Sequence, residues 1–399
     1  MIVSYPLWGL VSDRWGRKKS TLLASLWIST WSLLCCVAPS VTWLIAFRLF
    51  YSLAGGAVNL LMPYSYEVLS TKHQWLGFTV IYNVSSAIGN ATPIIAALVF
   101  LTGETSSYSW KLYFLSMTVP VLIFMLIALL FLHESPRFLI SKGKTEASAK
   151  VLRKIAGTKN NRLPESFTLV PEIEMASRKD QDNGLTLMQK YKLVFRNRQI
   201  LLSLICIVAM GIAARFIFYG MNFVKTELVF MQGQSGSNYC ASSLKNTYNL
   251  EIENYLQLLY YQIVSDAVGI VGSIFVLKLN FSLKKVTMTC FTFCIILTAV
   301  LYFCPPSWMA LGIFSLIQIL GISINIKMWL SLSGLLPTNI RSSLFGLCSF
   351  LMCLPLPIGP YFIQVLSKVS QHLVTSVCMA FMACGFMGSV LVPKKIYAN

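Results

Sequence analysis

The chain has 399 residues, of which 56% are hydrophobic and 12% charged, and its mean hydropathy is +0.68. A soluble globular domain carries about 25% charged residues, so this composition excludes one and indicates a polytopic membrane protein. The net charge of +18 does not point to nucleic acid, because fourteen of the 32 Lys and Arg fall within 137–198 and four within 14–19. Such clustering reads as topology, with the lipid bilayer as the partner and no nucleic acid.

The first element is a charged hairpin, Gly9-Leu10-Val11-Ser12-Asp13-Arg14-Trp15-Gly16-Arg17-Lys18-Lys19, between two apolar segments. Gly9 and Gly16 bring no side chain and let helix ends approach closely. Asp13 is placed to face a positive helix end or an arginine, and the basic run to face anionic lipid. Apolar stretches of spanning length follow at 20–38, 41–63, 76–101, 111–132, 200–222, 256–277, 286–304, 307–330, 342–366 and 372–392. These predict ten full membrane helices preceded by the tail of another.

Between the fourth and fifth of them lies a polar segment, so the chain divides into 1–132, an incomplete N-terminal bundle; 133–199, a central cytoplasmic loop; and 200–399, a C-terminal six-helix bundle. Within the loop, 142–156 and 185–195 have helical spacing, and 158–183 reads as a linker. With this topology, twenty-five Lys and Arg lie on the cytoplasmic side, four outside (Lys111, Lys225, Lys245, Lys368) and three within helices (Arg48, Arg215, Lys327). The imbalance puts both ends in the cytoplasm. Ten of the eleven cysteines lie in apolar segments and Cys240 in an outer loop, so neither a disulfide framework nor a metal site is expected. No cofactor is expected, and no enzyme signature is present.

The hairpin's pattern, G-x-x-x-D-R-x-G-R-K-K, resembles the signature loop of the major facilitator superfamily of transporters. Glu134-Ser135-Pro136-Arg137-Phe138-Leu139, closed by Gly143-Lys144, resembles the motif that follows the sixth helix in sugar porters and organic-ion transporters. Arg48 with Gly55-Gly56 is similar to that family's fourth-helix pattern. Phe218-Tyr219-Gly220 with Thr226-Glu227-Leu228 is similar to the synaptic-vesicle-protein-related branch, and Leu336-Pro337-Thr338 with Arg341 and Gly346 to the entry of the eleventh helix. The fold implied is all-α: two six-helix bundles, here expected to lack the first helix and most of the second. The second copy of the hairpin should follow the eighth family helix, but 277–285 reads LKLNFSLKK, keeping lysines and losing the Asp, Gly and Arg.

The resemblance implies a gate. Asp13 would face the N-terminus of the helix starting near Arg341, for about 0.3–1 kcal/mol of dipole stabilisation. Gly9, Arg14, Gly16, Arg17, Arg48, Glu67, Glu134, Arg137 and Arg341 would complete a cytoplasmic network. Charges inside the bilayer are costly and mark function or pairing. Asp266 has three readings: a cation or proton site, a structural ion pair, or a remnant. Arg215 is read either as its partner or as an anion ligand, and Lys327, Tyr219, Asn222 and Gln262 are candidate cavity groups. The expected function is passage of a small organic solute or ion, with a proton or other coupling ion as co-substrate, by alternating access. The plasma membrane or an intracellular vesicle membrane is the expected location. The alternative is a non-transporting receptor or scaffold of the same build.

Overall fold

Small hydroxylated residues and glycines set the spacing of the first helices. The computed structural model describes residues 2–70, 73–100, 108–157, 187–232, 282–303 and 306–393, with scattered residues between 260 and 278. Among these, the regular elements are helices. α1 spans Ser4–Trp15 and α2 spans Arg17–Cys36, with Gly16 between them at φ 105°, a left-handed conformation that only glycine adopts freely. Along α2, Thr21, Ser25 and Ser29 return their hydroxyls to the carbonyl one turn back, at 2.8–2.9 Å. The stripe therefore hides its own polarity, and its small side chains allow close packing on α6 (Ser109–Phe131), where Ser32 meets Thr118 at 2.6 Å.

The segment expected as one helix over 41–63 is broken: α3 covers Val41–Ser52, a 3₁₀ turn Gly55–Leu60, and α4 Leu61–Val68. The break lies where the chain meets α1, since the Gly56 amide donates to Ser4 Oγ at 2.9 Å and a Cβ at Gly56 would overlap Ser4 and Tyr5. α5 (Gln74–Phe100) and α6 follow, each with an internal proline, Pro93 and Pro120. α7 (Pro136–Ser141) starts on the Ser-Pro pair: Ser135 accepts the Phe138 amide at 3.2 Å, and Pro136 fills a position whose N–H has no helical partner. α8 (Thr145–Gly157) and α9 (Leu187–Arg196) are the two amphipathic helices expected in the central segment.

Further helices among the described residues are α10 (Arg198–Gln232), α11 (Leu283–Tyr302), α12 (Ser307–Leu335), α13 (Arg341–Cys353), α14 (Pro355–Val369) and α15 (Gln371–Leu391). Pro355 opens α14 at a first-turn position and so divides the span expected as 342–366. The main core lies among these helices: Met210, Phe291, Met328, Trp329 and Phe345 are buried together. A second cluster is centred on Phe216, which stacks on Phe381 with centroids 3.9 Å apart.

Among the described residues, eight helical spans are long and apolar enough to cross a membrane, with Val41–Val68 and Arg341–Ser367 each counted as one. Of the ten expected, α2 has the length but its serines hold its hydropathy down, and 256–277 lies largely outside the described residues. The eight differ in surroundings. Only 11% of the apolar window of α6 is buried within the protein, against 67% for α12. A helix apolar on all sides and covered by nothing faces lipid; one apolar and covered sits at the centre. α12 therefore forms the axis of the C-terminal helices and packs across onto α4 and α5.

Candidate functional site

The strongest functional geometry is where α1 meets α13. Asp13, one turn from the end of α1, accepts the amides of Ser342 (3.2 Å) and Ser343 (2.8 Å). These are two of the amides that a helix leaves unpaired at its N-terminus, and the carboxylate also faces the positive end of the α13 dipole. Arg17 lies one turn on, across the Gly16 corner, and donates from Nη1 to Asp13 Oδ1 at 2.8 Å and to the Ser12 carbonyl at 3.0 Å. Its Nε and Nη2 grip Glu67 in a two-pronged pair at 3.2 and 3.1 Å. Arg341 Nη1 donates to the same Glu67 oxygen at 3.1 Å. Two cations and two anions thus close a dry ring across four segments, with the Arg17 side chain fully buried.

A second arm holds the corner from outside. Glu134 accepts the backbone amides of Arg17 (2.7 Å), Lys18 (3.3 Å) and Ser135 (3.1 Å), which ties α2 to the start of α7. The Arg17 guanidinium also stacks on Phe138, 4.9 Å from the ring centroid. Glycines allow these approaches. A Cβ on Gly9 would overlap the Ser342 backbone, one on Gly346 the Tyr5 carbonyl, and one on Gly16 the Glu134 carboxylate.

Burial alone disfavours both members of the closest pair. For Arg17, Glu67 and Asp13 outweigh it and hold the pKa above the ordinary arginine value. For Asp13, burial raises the carboxyl, while Arg17 and the Ser343 and Ser342 amides pull it back. The cluster therefore depends on Arg17, without which two carboxylates share a dry site. Tyr191 of α9 also reaches this point: burial raises its pKa, with the Ser343 hydroxyl opposing and the Asp13 charge adding.

The structure thus brings together Gly9, Asp13, Gly16, Arg17, Glu67, Glu134 and Arg341. Arg137 is exposed at the rim, over the Tyr66 ring at 5.8 Å, and Arg14 is exposed. Arg48 is not part of the cluster. It lies in α3, at the Cys35 end of α2, with its guanidinium 4.8 Å from the Phe114 ring centroid. Nineteen residues separate it from Glu67, so roughly 25–30 Å of helical rise stands between them. Sequence reasoning missed the aromatic packing: Tyr66 lies under Arg341 at 5.1 Å, and Tyr64 donates to the His133 carbonyl at 2.9 Å. Nothing distinguishes these tyrosines in sequence except their nearness to Glu67.

Of the candidate cavity groups, Arg215 in α10 is half-buried, donates to Cys353 Sγ and lies over Trp329 at 5.1 Å. Lys327 is half-buried in the middle of α12. Tyr219 and Asn222 fall in α10, of which only the backbone is described there, and Asp266 and Gln262 lie outside the described residues.

A family model described as Major Facilitator Superfamily matches residues 1–360. The chain belongs to the major facilitator superfamily. It is 24% identical to the synaptic vesicle 2-related protein of Bos taurus over an alignment of 403 positions that covers 98% of this chain and 69% of that protein. A Bacillus subtilis relative named as a metabolite transport protein, YwtG, is 30% identical over 152 residues, or 38% of this chain and 32% of its own length. Among solved structures, the E. coli proton:xylose symporter XylE aligns with a TM-score of 0.69 at 18% identity, covering 98% of this chain and 83% of that one. The human organic anion transporter MFSD10 aligns at 0.62 and 15% identity, covering 97% and 80%. At such identities the likeness shows the fold, that of a multi-pass membrane protein of a transporter family.

Proposed function

We propose that this chain carries a small organic solute or ion across its membrane by alternating access, and that the ring of Asp13, Arg17, Glu67 and Arg341 is the contact that shuts its cytoplasmic face. The supporting observation is where the ring sits. It joins α1 and α4, from the N-terminal helices, to α13 from the C-terminal ones, so rocking 1–132 against 200–399 must break it. The segment 133–199 then links the two moving parts, and Glu134 couples its start to the corner at Arg17. The clustering of positive charge supports a cytoplasmic position for the ring and both chain ends, in a plasma or vesicle membrane. The named substrates of XylE and MFSD10, a sugar and organic anions, frame the solute panel, with a proton as candidate coupling ion.

Uptake into proteoliposomes tests this with labelled sugars, organic anions and organic cations, with and without a proton gradient, on wild type and on Asp13→Asn and Asp266→Asn. Wild type is expected to accumulate at least one class and Asp13→Asn to slow it. If wild type moves no member of the panel, transport is the wrong reading. The second reading, a receptor or scaffold of this build, is favoured by the second hairpin at 277–285, which has lost its Asp, Gly and Arg.

A further inference from the structure

α12 is the most covered of the eight candidate spans, and from residue 321 to 333 every position is buried except Lys327 and Leu330, which are half-buried. A lysine in such a stretch needs a reason to be there. Its direction follows from Gly334, two turns on along the same face: a Cβ there would stand 3.0 Å from the Tyr66 hydroxyl, so this face looks across to α4. Lys327 lies roughly 10 Å deeper along the same line, between the two sets of helices and out of reach of lipid headgroups. Ser323 and Ser331, one turn before and after, share the face, and α5, which packs against α12, carries Thr79, Asn83, Ser86 and Asn90 at 4-3-4 spacing. Among the described residues no carboxylate bridges the ammonium, and the acids of the ring are already paired with Arg17 and Arg341. Arg215, over Trp329 on the other side of α12, adds a second positive charge to the same core.

We infer that the solute is an organic anion, a carboxylate, sulfonate or phosphate ester, and that Lys327 is the group that binds its charge. The inference rests on the transport reading above and names the class of solute. A half-buried ammonium that has, among the described residues, no acid beside it is completed by an anion that arrives from solution, and hydroxyl and amide groups carried on the same face of α12 and on α5 suit a polar headgroup better than a second cation.

Binding to the purified full chain is measured by thermal unfolding with five probes that share one aromatic ring: benzoate, benzenesulfonate, phenyl phosphate, benzyltrimethylammonium and benzyl alcohol. At least one of the three anions is expected to stabilise wild type and the other two probes not. Lys327→Gln is expected to weaken that binding by roughly ten-fold or more, and Lys327→Arg to retain most of it. Stabilisation by the cation or the alcohol alone, or by no probe, overturns the inference, and this arm needs no variant that folds. It also fails if Lys327→Gln binds the anion unchanged, or if a Lys327→Gln/Asp266→Asn double variant regains what each single loses, since Lys327 is then half of an internal ion pair. Anion binding that needs Lys327 but comes without anion flux in proteoliposomes overturns transport and leaves Lys327 standing as the group that binds an organic anion. Flux of the cation or alcohol without anion binding does the reverse.

Discussion

The two charged segments that the sequence resemblance pairs, at 9–19 and 277–285, make opposite electrostatic contacts at their described residues. In the first, a carboxylate, Asp13, meets the positive N-terminus of α13, which belongs to the other set of helices. In the second, the Lys284 amine at the start of α11 donates to the Val390 carbonyl in the last turn of α15, a neighbour in its own set. Each pairing agrees with the sign of the helix end it faces. The first spans the interface between the sets and the second stays within one. Among its described residues the second segment therefore makes a local clasp rather than a contact across the interface. On the proposed function, the contact that closes the charged end is, among the described residues, the one made by the first hairpin.

The largest expected effect comes from removing the hub of that closure. Arg17→Ala leaves Asp13 and Glu67 buried without their common cation, and breaking a buried pair in this way costs about 3–5 kcal/mol. The expected result is a lower unfolding temperature together with fast alkylation of a reporter cysteine at Ser12→Cys, which is buried while the face is shut. If the reporter stays protected and the unfolding temperature is unchanged, the ring does not hold the face closed.

A purely steric change should act next most strongly. In Gly9→Leu, the first side-chain atom already overlaps the Ser342 backbone, so α1 and α13 must separate without any charge being altered. Overpacking costs about 1–3 kcal/mol. Spin labels at Leu10 and Leu347, exposed positions on the two helices, should report a longer and broader distance distribution than in wild type. An unchanged distribution means that the close approach is not what positions Asp13.

How far such contacts can be read from sequence depends on the range over which they are encoded. The Asp13 and Gly9 contacts are legible because a short, ordered string carries them: an acid four residues from an arginine, framed by glycines, leaves few alternatives for a hairpin between membrane helices. Glu67 and Arg341 join them only through the fold, and were found by resemblance. Arg48 shows the limit of that route. It lies in the same candidate span, Val41–Val68, as Glu67, yet the Gly55–Leu60 turn and the length of the span carry it to the opposite end, among aromatic rings. The helix break itself was not anticipated, because glycines in a membrane helix read equally well as a packing face, and the partner that decides, Ser4, is fifty-two residues away. The helix expected at 20–38 is present as α2, although its hydropathy is modest. Its hydroxyls are satisfied within the helix at each turn, so a segment of modest hydropathy is apolar in effect.

The smallest expected effect separates the two hairpins. Lys284→Met keeps the side chain's length and apolar stem but removes the charge that faces the Val390 carbonyl. A cation at a helix C-terminus contributes about 0.3–1 kcal/mol, so the unfolding temperature should fall slightly. The Leu10–Leu347 label distance and the Ser12→Cys protection should match wild type, since α11 and α15 lie on the same side of the interface. Were Lys284→Met to open the α1–α13 contact as Arg17→Ala is expected to, the second hairpin would act across the interface too, and closure would be shared between the halves.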